Sequence, residues 1–168
     1  MKKEEVLELL GQRYHCSQVL MKTGMEVKGE DNPDLLRVMT GLAGGLYGCG
    51  KNCGALTGGC AMFGLFAGRG LPEEADPPEI KEMVEEYLDW FEERFGSPNC
   101  DDILHGDKRN ISKVCPELIF ECSEKAEEIL RAYGYAQLPA CPVCGNVMID
   151  EELADGKIAE VEELLEDK

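Results

Sequence analysis

At 168 residues the chain is long enough to bury a single core, with room for a small appendage. A hydrophobic share of 43% with strong periodicity marks it as globular, and a net charge of −17 argues against nucleic acid or an anionic membrane as partner, since both need basic patches. The N-terminus, MKKEEVLELL, has acids where a secretory leader has an apolar run, so a cytoplasmic location is expected; there, nine cysteines, an odd number, serve as ligands or redox groups rather than as staples.

In chain order, residues 3–23 predict one amphipathic helix, with Val6, Leu7, Leu9, Leu10, Tyr14, Leu20 and Met21 on one side, Cys16 at the edge of that face and Gly24 as the stop. A polar link, Lys28 to Asn32, leads to Pro33, which suits the first turn of a second helix capped by Asn32. That helix is expected to run through Leu35, Leu36, Val38, Met39 and Leu42 into the stretch Val38 to Gly68, in which ten of thirty-one residues are glycine and Lys51 is the sole charge. Cys49 to Cys53 reads as a turn and a third helix follows to about Gly68.

Each glycine in a helix interior costs about 1 kcal/mol against alanine, so something must offset the glycines of this hairpin. The pairs Gly41/Gly45, Gly44/Gly48, Gly54/Gly58 and Gly64/Gly68 stand one turn apart and predict close approach of backbones. A transmembrane hairpin is rejected because each arm falls short of the roughly 20 apolar residues needed to span a bilayer.

Residues 78–95 predict the clearest helix, with Ile80, Met83, Val84, Tyr87, Leu88, Trp90, Phe91 and Phe95 on a broad apolar face and Gly96 as its end. Asn99 looks like the cap of a short helix bearing Cys100. Pro116 suits a first helical position, which puts Cys115 at the cap of a helix running to Tyr133. Beyond it, Cys141-Pro142-Val143-Cys144-Gly145 forms a compact turn and residues 149–166 a charged helix. The expected fold is all-α: a compact bundle of about five helices around the glycine-rich hairpin in residues 1–136, followed by a Cys-x-x-Cys knuckle and helix in 137–168. That last unit is too small to fold alone without a metal or a docking surface.

Cys53, Cys100 and Cys115 all fall at predicted helix N-termini, where free backbone N–H groups and the helix dipole favour thiolate over thiol; Lys51 beside Cys53 adds to this. Cys141 and Cys144 read as a metal knuckle of the zinc-ribbon or rubredoxin sort, whose remaining ligands would come from Cys49, from Cys122 or from the same knuckle of a second subunit in a homodimer. A redox dithiol is the competing reading. No histidine follows Cys144, so c-type haem attachment is excluded. His15 and His105 are read as surface residues.

Cys16, then Cys53-Gly54-Ala55-Leu56-Thr57-Gly58, then Cys100 and Cys115 resemble the C-GCAxxG-C-C family of redox-active proteins; Gly59-Cys60-Ala61-Met62-Phe63-Gly64 also satisfies the spelling of that motif. The likeness spans Cys16 to Tyr133. It implies a small helical protein in which Cys16, Cys53, Cys100 and Cys115 form one redox-active or metal-binding site. A similar domain occurs in split-Soret cytochromes, with an associated iron–sulfur centre. Cys49, Cys60 and Cys122 are additional to the pattern, and the Cys141/Cys144 segment lies outside it.

The preferred expectation is an electron-transfer protein whose four cysteines hold an iron–sulfur cluster, of the 2Fe–2S kind, and which exchanges electrons with a redox partner protein. Four thiolates suit zinc as well. One alternative is a metal-free thiol–disulfide oxidoreductase with Cys53 as the catalytic attacker, and another is a zinc-stabilised protein-interaction module.

Overall fold

Two helices stand where one was expected at the N-terminus. In the computed structural model, which describes residues 1–75 and 77–136, α1 spans Lys3–Gly11 and α2 spans Cys16–Lys28. The chain breaks between them because Arg13 adopts a left-handed conformation (φ 69°) and the Gln18 side chain accepts a hydrogen bond from the His15 amide at 2.9 Å, starting a new helix. Cys16 is therefore the first residue of a helix, not a mid-helix residue. Gly24 does not end α2. It lies inside the helix, where an added Cβ would stand 2.8 Å from the Met62 side chain, and the left-handed Gly29 makes the actual stop.

α3 (Pro33–Met39) starts as its sequence predicts, with the Asn32 side chain accepting from the amides of Asp34 and Leu35 at 3.0 and 3.3 Å. It is shorter than expected. A 3₁₀ turn, Thr40–Leu42, and a short segment, α4 (Ala43–Leu46), replace its second half. Within α4, Gly44 and Gly45 have positive φ, as do Leu46 and Tyr47 on either side of its end, so the first arm of the hairpin is a coiled turn rather than a helix. The second arm is helical as predicted: α5 spans Gly54–Ala67.

α6 (Glu79–Phe95) ends at the left-handed Gly96, and α7 (Cys100–Ile103) follows Asn99, both as expected. The last described helix, α8 (Ile111–Ala132), begins a turn earlier than predicted. Its lead-in is the 3₁₀ turn Lys108–Asn110, whose start is capped by the Asp107 side chain accepting from the Arg109 amide at 2.9 Å. Pro116 thus lies within the helix and Cys115 in its second turn rather than at its cap. The expected knuckle at Cys141 and Cys144 and the helix over 149–166 lie outside the described residues.

α5 is the centre of the bundle. It carries no charge and is apolar on nearly every side, as a helix enclosed by others must be. α2 packs along one side, α6 and α8 along the others, and α1 covers α8. Val19 and Leu20 of α2, Leu56, Met62 and Phe63 of α5, Met83, Tyr87 and Phe91 of α6, and Ile119, Ile129 and Leu130 of α8 form one buried core. A smaller cluster of Met21, Met25, Leu36 and Met39 joins α2 to α3.

Of the glycine pairs, only Gly54/Gly58 behaves as predicted. An added Cβ at Gly58 would lie 2.9 Å from the Leu20 Cβ and 3.0 Å from the Ser17 Cα, so the pair lets α2 settle against α5. Gly41, Gly44 and Gly64 face open space. Gly59, outside the predicted pairs, makes room for the Tyr87 ring of α6. No helix among the described residues is long and apolar enough to cross a membrane.

Candidate thiol site

The first of the four cysteines is placed by the end of α3. Helix C-termini leave carbonyls without partners. Here the buried Ser17 hydroxyl donates to the Met39 carbonyl at 2.7 Å, and the Gln18 amide donates to the Leu36 carbonyl at 2.9 Å. These bonds fix the first turn of α2, and with it Cys16, against the start of the glycine-rich turn.

Cys53 and Cys100 are placed by a short antiparallel stitch. The Cys53 amide donates to the Pro98 carbonyl at 2.7 Å, the Cys100 amide to the Lys51 carbonyl at 2.7 Å and the Asp101 amide to the Gly50 carbonyl at 3.1 Å. Asn52 and Asn99 pair as an isolated bridge between them. The stitch depends on Gly50, whose φ is +73° and whose added Cβ would overlap the Asp101 carboxylate. Gly45 similarly allows the Lys51 backbone to pass, since an added Cβ would lie 2.5 Å from the Lys51 nitrogen. The approach to Cys100 is held by Asp102, whose carboxylate accepts from the Ser97 hydroxyl at 2.7 Å and the Asn99 amide group at 3.0 Å; these bonds hold its proton affinity below the usual carboxylate range.

Cys53 is the N-cap residue of α5 and only 6% exposed. Burial pushes its thiol up to about 12, with the neighbouring Cys16 and Cys100 thiols adding to the shift; the Ala55 and Leu56 amides facing the sulfur oppose it. Burial, then Cys16 and Cys100, raises Cys115 to about 12, and burial, then Cys16 and Asp101, raises Cys100. The expected thiolate at Cys53 is thus overruled by desolvation. Lys51 instead faces Asp102, whose proton affinity it lowers.

These couplings place Cys16, Cys53, Cys100 and Cys115 in one neighbourhood, with Cys16 felt by all three of the others. Among the described residues, no three of His, Cys, Asp and Glu gather tightly enough to hold one metal ion. All seven described cysteines are free thiols. Cys49 is exposed in the turn, and Cys60 lies on α5 with burial raising it to about 11. His15 precedes α2 as its N-cap and His105 lies in the loop after α7. Cys141 and Cys144 lie outside the described residues.

Two more residues lie near this site: Cys122, which the sequence marks as an extra cysteine and a candidate knuckle ligand, and Tyr87, which it marks only as core. Cys122 is fully buried in α8, with Cys53 and Cys16 near enough to raise it further after burial has done so. Tyr87 of α6 is fully buried beside it. Tyr87 sits in an ordinary apolar pattern, and the one sequence clue to its place is Gly59, the partner that admits its ring.

The profile of a family described as "Putative redox-active protein (C_GCAxxG_C_C)" matches residues 14–129, and a second, described as a domain of unknown function (DUF7479), matches residues 130–168. An uncharacterized protein of Archaeoglobus fulgidus is 29% identical over 135 residues, covering 73% of this chain and 83% of that protein. No solved structure matches the chain. With its motif cysteines in one neighbourhood and most of its length matched, the chain belongs to the C_GCAxxG_C_C family of redox-active proteins.

Proposed function

We propose that the protein is a cysteine-based electron carrier in which Cys16, Cys53, Cys100 and Cys115 hold an iron–sulfur cluster. One observation carries the reading: four thiols, delivered by α2, the N-cap of α5, α7 and α8, share a neighbourhood in which Cys53 is buried and Cys16 opposes ionisation of the other three. Such a set fits a positive centre, because ligation replaces the protons that burial otherwise retains.

The donor chemistry alone suits iron–sulfur and zinc equally. The likeness of the motif to the iron–sulfur-associated domain of split-Soret cytochromes favours the former.

A bound cluster would supply a one-electron couple. The chain's own part is to exclude water, through the burial of Cys53, and to aim backbone N–H groups at its sulfur, a recognised means of setting a cluster's potential. In this reading residues 1–136 are the redox domain and 137–168 an appended unit, the protein works in a reducing compartment, and a partner protein exchanges electrons with it.

Absorption spectra and iron, sulfide and zinc analysis of anaerobically purified protein test the proposal. Visible absorbance with iron and sulfide present is the expected result. A colourless, iron-free protein overturns it, and stoichiometric zinc in such a sample favours an interaction module instead.

A further inference from the structure

Behind the four cysteines lies a second polar cluster inside the core, made of Tyr87, Ala55 and Cys122. The Tyr87 hydroxyl donates to the Ala55 carbonyl at 3.3 Å and lies 3.4 Å from the Cys122 carbonyl. The Cys122 thiol is near enough for it and the phenol to shift each other's ionisation. Ala55 is two residues beyond Cys53, and its amide faces the Cys53 sulfur. One residue, Ala55, therefore has its N–H turned to the cysteine and its carbonyl taken by the tyrosine. On the other side, Cys122 lies two helical turns along α8 from Cys115, on the same face.

The ring that carries this hydroxyl is held on every side. It stacks on Trp90 with centroids 5.7 Å apart and planes 17° from parallel, meets Phe63 edge-on at 5.5 Å, and fills the space left by Gly59. Aromatic packing alone would be served as well by phenylalanine. A buried phenol retains its hydroxyl at a desolvation cost unless the hydroxyl finds partners, and here all its partners belong to the two helices that carry Cys53 and Cys115.

We infer that Tyr87 is a positioning residue of the thiol site: its hydroxyl ties the first turn of α5 to the Cys122 turn of α8, fixing Cys53 relative to Cys115 and holding Cys122 back as a buried fifth thiol. The inference rests on the four-thiol site of the proposed function but not on what fills it. Without the hydroxyl, the first turn of α5 loses its anchor and opens locally, while the rest of the bundle keeps its packing.

The test uses full-length, reduced, metal-free protein and the alkylation rate of each cysteine, followed by mass spectrometry. In Tyr87→Phe the rates of Cys53 and Cys122 should rise about fivefold, the effect of one ordinary hydrogen bond on a local opening equilibrium, with the exposed Cys49 unchanged. Trp90→Phe removes packing from the same ring without touching the hydroxyl and should leave both rates near wild type. Gly59→Ala, which keeps the hydroxyl but displaces the ring, should repeat the Tyr87→Phe pattern and serves if that variant does not fold. Unchanged rates at Cys53 and Cys122, an equal rise at every cysteine, or the same pattern in Trp90→Phe would each overturn the inference. Iron analysis of the wild-type protein judges the cluster separately, so failure of one does not pass for failure of the other.

Discussion

The sulfur of Cys16 occupies the space that a side chain on residue 54 would need: a methyl group added at Gly54 would overlap it. The glycine beginning α5 is thus a condition for Cys16 to reach the site, and Gly58, one turn on, performs the same service for the α2 backbone beside Ser17.

Gly54→Ala should displace Cys16 and abolish metal uptake while circular dichroism still reports a helical protein. The overpacking penalty is about 1–3 kcal/mol. Gly64→Ala is the matched control on the same helix: its added Cβ meets nothing within 4 Å, so stability should rise by about 0.5–1 kcal/mol with metal uptake intact. Chemical denaturation and metal analysis of the two variants check both halves. Metal retained in Gly54→Ala would show that the close approach serves packing alone.

Gly50→Ala strikes the site from a different side. It combines a left-handed backbone with a Cβ that overlaps the Asp101 carboxylate, so it should undo the stitch between residues 50–53 and 98–101. Amide exchange at Cys53 and Cys100, whose N–H groups are the stitch's donors, should accelerate tenfold or more, about 1.4 kcal/mol of local stability, while the protection of α8 persists.

Alkali should weaken the metal-free protein. Folding raises the Cys53 thiol from an ordinary 9.0 to about 12, and Cys115 by the same amount, so the folded chain retains protons that the unfolded chain releases. Their contribution is whole below pH 9 and is lost as pH rises from there toward 12. The melting temperature of metal-free protein should fall across that interval, and Cys53→Ala should flatten the fall. Metal-loaded protein, with its thiols already deprotonated, should show a shallower dependence.

The elements that were legible in the sequence are those whose ends are marked locally. Asn32-Pro33 and Gly96 are chemical punctuation, and α6 declares itself by an apolar face that repeats for over four turns. The break before Cys16 is not legible because Leu10 and Tyr14 stay in helical phase across it, while the left-handed Arg13 has no sequence signature. The available sign was Gln18 standing three residues beyond His15, the polar half of a capping box. Likewise Pro116 looked like a helix start, although Asp107 held the actual cap signal upstream. The motif cysteines could be named from their pattern. Which force governs their ionisation could not, because burial at Cys53 depends on α2, α6 and α8 together rather than on Lys51 next door in sequence.

The four thiols come from positions 16, 53, 100 and 115, on segments that meet only when the bundle has closed. Loop-closure entropy therefore predicts a late assembly of the four, since each long loop must be closed before its contacts repay the entropy. A nascent or partly opened chain would present scattered reduced thiols instead of a site. A cluster of the proposed kind would have to enter a finished fold through the partly exposed rim at Cys100 and Cys16, and oxidation before closure would leave it without ligands.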